Sequence, residues 1–61
     1  MTEEEAYRVL QVRPEAHPKV IRAAFTVLRE LALGDLSDDA PRRLVEVDRA
    51  RLVLEEAGRL G

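Results

Sequence analysis

Residues 17–35, HPKVIRAAFTVLRELALGD, decide the fold. Pro18 suits the first turn of a helix, where its missing N–H leaves no bond unmade. Ile21, Ala24, Phe25, Leu28 and Ala32 then recur at spacings of three and four, which place them on one face of a helix. Gly34 supplies a stop, able to adopt the left-handed conformation of a helix C-cap. Upstream, Thr2 followed three residues later by Glu5 reads as a capping box. Glu3, Glu4 and Glu5 lie where the helix dipole favours negative charge. Ala6, Tyr7, Val9 and Leu10 carry that first helix to about Gln11. Pro14 and Pro18 bracket a short connection and push Arg13 and His17 out of the α region. Downstream, Asp39 is the expected N-cap of a third helix, with Pro41 in its first turn. Leu44, Val47, Ala50, Leu54 and Ala57 define its apolar face, and Gly58 ends it. No stretch alternates with period two, and no Asn-Gly or Asp-Gly hairpin turn occurs. The expected fold is all-α: a short first helix packed on an antiparallel pair joined by a loop of about six residues. It forms a single domain over residues 1–61.

The chain has 61 residues, no cysteine and a net charge of −2. Disulfides and thiolate zinc sites are excluded. So short a chain supports a core worth only roughly 3–5 kcal/mol of net stability. With one Phe, one Tyr and no Trp, Leu, Val and Ala must do most of the packing. No apolar run reaches the 18 residues of a membrane span. The acidic start Met-Thr-Glu-Glu-Glu is unlike a signal peptide, so a cytoplasmic protein is expected. Nine of the ten basic residues are Arg, which fits a GC-rich genome and a thermophilic source.

The order of these elements resembles the J domain of the DnaJ co-chaperone family. Ala6-Tyr7-Arg8-Val9-Leu10-Gln11-Val12 is similar to the family's opening YYEVLGV, and Arg13-Pro14-Glu15-Ala16-His17-Pro18 to SPDASP. Ile21, Ala24, Phe25 and Leu28 fall on the apolar positions of EIKKAYRKLAL. Val47, Ala50, Val53 and Leu54 fall on those of INEAYEVL. The resemblance covers nearly the whole chain, with a shortened central loop. It implies a J-like helical fold and a DnaK-type chaperone as partner, whose ATP hydrolysis an active member stimulates through a His-Pro-Asp tripeptide.

At the tripeptide this chain reads Leu33-Gly34-Asp35, so only the aspartate survives. Active members also carry a basic face on the second helix. Here Arg22 remains, while Ala23, Thr26, Val27 and Leu31 occupy the other positions; Lys19 and Arg29 compensate in part. Complementary charge sets on-rate and specificity, so the usual stimulation is expected to be lost. A degenerate, non-catalytic protein-interaction module follows, with Arg22, Val27, Leu31, Leu33, Gly34 and Asp35 as candidate partner-binding residues. The alternative is a working co-chaperone acting through a divergent loop.

Val20, Val27 and Leu31 form a second apolar stripe beside the core stripe, and Val45 and Leu52 are apolar at sites normally polar. Three readings stand open: a surface for a protein partner or a second copy, a thickening of an aromatic-poor core, or a face that packs on the rest of a longer chain.

Other chemistry is thin. His17, the single histidine, suits a capping role, and with no cysteine a metal would find only carboxylates beside it. Asp35, Asp38 and Asp39 lack the spacing of a calcium loop. Ser37 has no nucleophile setting. No Gly-rich phosphate loop exists, so no enzyme, no cofactor and no small-molecule substrate is expected. A helix-turn-helix DNA-binding module is the second alternative, with Arg42, Arg43, Arg49, Arg51 and Arg59 toward DNA. Against it stand the long turn, the acidic balance, and the expected surface pairs Glu46–Arg49 and Asp48–Arg51.

Overall fold

Thr2 starts the first helix as its sequence implies. Its hydroxyl oxygen accepts the Glu5 N–H at 3.2 Å and its O–H donates to the Glu5 carboxylate at 3.3 Å. The reciprocal bond of a full capping box, from the Thr2 N–H to Glu5, is replaced by this hydroxyl–carboxylate contact. The computed structural model describes residues 1–61. Helix α1 spans Glu3–Val9, α2 Pro18–Leu33 and α3 Ala40–Glu56, and there are no strands.

A seven-residue helix is not stable by itself in water, so α1 depends on what it packs against. That is α3: both α1 and α2 pack on it, and no α1 residue approaches α2 within 8 Å between Cα atoms. Arg29 pairs with Asp48 and Phe25 lies under Arg51. Numbers rise along one helix as they fall along the other, so α2 and α3 are antiparallel. Ala6, Tyr7 and Leu10 from the first segment, Ile21 from α2, and Val47, Ala50 and Leu54 from α3 form one core, joined by Leu60. Phe25, Leu28 and Val53 pack on its edge.

Helix α1 stops at Val9, short of the Gln11 its apolar pattern suggests, in a tight reversal. Gln11 takes the left-handed conformation, with φ of 57°. The Gln11 N–H donates to Arg8 O at 3.0 Å and the Val12 N–H to Tyr7 O at 3.1 Å. This is a Schellman termination, whose left-handed site normally holds Gly. Holding a side chain there costs about 1–2 kcal/mol, against roughly 0.5–1 kcal/mol of extra chain entropy for Gly. Gln11→Gly is therefore expected to stabilise the fold by about 0.5–1 kcal/mol in urea unfolding; a lower midpoint would count against this turn geometry.

His17 caps α2 through Nδ1, which accepts the Lys19 N–H at 3.1 Å. Gly34 does end α2, but in right-handed geometry, φ −86° and ψ −5°. The left-handed assignment is thus corrected: the chain leaves α2 by a continuing turn, in which the Asp35 N–H still reaches Ala32 O at 3.3 Å. Asp39 precedes α3 but does not cap it. Its backbone is already helical, φ −81° and ψ −17°, and its side chain makes no cap bond. Ala57 is exposed rather than on the core face, because α3 has ended at Glu56. The pairs Glu46–Arg49 and Asp48–Arg51 do not form: Asp48 is taken by Arg29 across the helix pair, and Arg51 by Glu55 one turn on.

Candidate interaction site

The apolar residues of the second stripe do not thicken the core. Val20 and Val27 are each 53% exposed and Leu31 62%. Val45 and Leu52 are also exposed. The reason is geometric. At 3.6 residues per turn, Val20, Val27 and Leu31 stand on a side flank of α2, about a quarter-turn from its buried stripe, where neither α1 nor α3 covers them, although Leu31 borders a groove shared with Val9 of α1 and Arg43, Glu46 and Val47 of α3. The two sets are not one patch. Leu31 lines a groove of about 290 Å³ with Val9, Gln11 and Leu28. Leu52 lies with Phe25, Arg29 and Arg51 at the opposite side of α2.

At the end of the pair, the loop after α2 is held by Asp35. One carboxylate oxygen accepts the Ser37 N–H at 2.8 Å, and the other is paired with the Arg43 guanidinium. The Ser37 backbone bond first, and then the Arg43 side chain, hold the Asp35 carboxyl below the usual carboxylate range. The carboxylate stays ionised further into acid than a free aspartate. Its fixed partners make it a brace between loop and α3. Beside it, Leu33 and Leu36 are 56% and 98% exposed, so the tip of the hairpin presents aliphatic surface. A Cβ at Gly34 would meet only Glu30 O at 3.5 Å and Leu31 O at 4.0 Å. With φ negative, nothing local requires glycine there.

The six candidate residues are thus divided. Val27 and Leu31 share the free flank of α2. Leu33, Gly34 and Asp35 sit at the hairpin tip. Arg22 projects from the other side of α2, near Phe25, Arg51 and Gly61, around a cavity of about 470 Å³. Arg22 has no salt-bridge partner.

The chain matches no protein-family model, no curated protein and no solved structure. Its own residues alone bear on its function. No group of three or more His, Cys, Asp or Glu converges on a point, and no helix is long and apolar enough to cross a membrane. Buried polar side-chain atoms without partners are absent. Two buried residues stand outside the apolar stripes of the sequence: Ala40 at the start of α3, 3% exposed, and Leu60, 9% exposed and part of the main core. The signal for Leu60 is a lone Leu between Gly58 and Gly61, too short a stretch for periodicity to act on.

Proposed function

We propose that this chain is a degenerate J-like domain, a non-catalytic protein–protein interaction module working in the cytoplasm, without the usual power to stimulate a DnaK-type ATPase. The observation that carries the reading is the exposure of Val27 and Leu31, apolar residues on the helix face where the J pattern is basic. An exposed aliphatic face with no internal partner suits docking by burial, whereas a charged partner surface would find little complementarity there. Leu33 in place of the tripeptide's histidine removes a polar group from the hairpin tip, and Asp35 is occupied by Ser37 and Arg43.

The working co-chaperone is the second reading, and Asp35 at the tripeptide's third position is what favours it. A DNA-binding role is weaker. Arg43, Arg51 and Arg59 each have a carboxylate partner within the chain, and phosphate contacts would have to displace those carboxylates.

Single-turnover ATP hydrolysis by a DnaK-type chaperone separates the first two readings. The expected result is the basal rate with or without this chain, and no change with Asp35→Asn. Several-fold stimulation that Asp35→Asn abolishes would establish the co-chaperone instead.

A further inference from the structure

The geometry points to a second copy of this chain as the occupant of the free flank of α2, bound antiparallel about a two-fold axis between Ala24 and Val27. It deepens the interaction reading above, and rests on it only in taking that flank to be a docking face. Val20, Ala24, Val27 and Leu31 follow one another at spacings of 4, 3 and 4. That is the seam by which one helix packs lengthwise on another. The seam is symmetric end to end. In an antiparallel pair, Val20 comes opposite the partner's Leu31, and Ala24 opposite the partner's Val27, so each larger side chain is matched and the same contacts occur twice. A two-fold interface requires this self-complementarity.

The charges agree. On the rim of the seam farther from α1, the ionisable residues of α2 are Lys19 and Glu30, at opposite ends of the helix. Neither has a salt-bridge partner within the chain. Residues on the same rim meet in an antiparallel pair. Lys19 then faces the partner's Glu30 and Glu30 the partner's Lys19, two opposite-charge contacts from one symmetry axis. A parallel pair would bring each rim against the partner's opposite rim, so Lys19 and Glu30 would lie on different sides of the seam and both contacts would be lost. The two arginines of α2, Arg22 and Arg29, project toward α3's side, beside Arg51 and Asp48, and stay clear of the seam.

One helix face per copy is smaller than the roughly 800 Å² per partner of a standard interface, so the association is weak and concentration dependent. Sedimentation equilibrium of the full 61-residue chain is expected to show the mean mass rising from monomer toward dimer between about 10 µM and 1 mM. Val27→Lys should abolish that rise without loss of helical signal, because the side chain is half exposed in the monomer. Lys19→Glu should weaken the dimer about tenfold, and adding Glu30→Lys should restore it to within about twofold of the original. A wild-type chain that stays monomeric through this range overturns the proposal, as does a dimer indifferent to Val27→Lys. A dimer that the charge exchange fails to rescue overturns the antiparallel register. None of these outcomes alters the ATPase readout, so the dimer and the non-stimulating module fail separately.

Discussion

Replacing Leu54 with Ala should leave much of the chain unfolded at 25 °C. Leu54 is fully buried, at 0% exposure. It lies on α3, the element on which both other helices pack, within a core that draws Ala6, Tyr7 and Leu10 from one side and Ile21 from the other. Removing a fully buried leucine side chain costs about 2.7–5 kcal/mol, a transfer loss plus the cavity left behind. A domain this small has only roughly 3–5 kcal/mol in hand. The two magnitudes are of the same size, so the substitution consumes most or all of the stability. Circular dichroism at 222 nm and a urea titration read the outcome. Leu52→Ala, two residues away but 47% exposed, is the control and should change stability by about 0.5 kcal/mol or less. A cooperative transition for Leu54→Ala within about 1 kcal/mol of the wild type would mean that the core is not assembled around α3.

The contrast between Leu54 and Leu52 also marks how far the sequence could be read. Local signals transferred well. Thr2, His17 and Pro18 start their helices because a cap or a fixed φ acts within one turn. Ile21 and Ala32 are buried because a spacing of three and four specifies a helix face with no knowledge of its partner. The exposure of Val27 and Leu31 follows from the same periodicity, since both lie off the core face. Part of what failed was set by neighbours remote in sequence. Asp48 chose Arg29 over Arg51 because α2 brings a guanidinium across the pair. Asp39 failed for a local reason: its own backbone is already helical, φ −81° and ψ −17°, and its carboxylate makes no cap bond. The candidate binding residues were scattered for a related reason. A tripeptide pattern and a helix stripe are adjacent in sequence, yet Arg22 and Leu31 are nine residues apart on α2 and so point to opposite sides.

The residues after α3 give the second large effect: Leu60→Ala should cost about 2–3 kcal/mol, although no helix contains it. Gly58 makes this possible. Its φ of 75° is left-handed, the Gly58 N–H donates to Glu55 O at 3.0 Å, and the Arg59 N–H returns to Leu54 O at 2.8 Å. This second Schellman turn reverses the chain and sets Leu60 against the core at 9% exposure. Arg59 then reaches back to Glu3 on α1 at 3.3 Å. That pair is exposed and contributes little, about 0–1 kcal/mol, so Arg59→Ala should be nearly silent. Gly58→Ala should cost about 1 kcal/mol through the left-handed backbone alone, since a Cβ at that position meets open space. Urea midpoints for the three variants order the causes. A docked Leu60 requires Leu60→Ala to be the most damaging and Arg59→Ala the least. If Leu60→Ala proves as mild as Arg59→Ala, the final turn is not part of the core, and the core of this chain closes at Leu54.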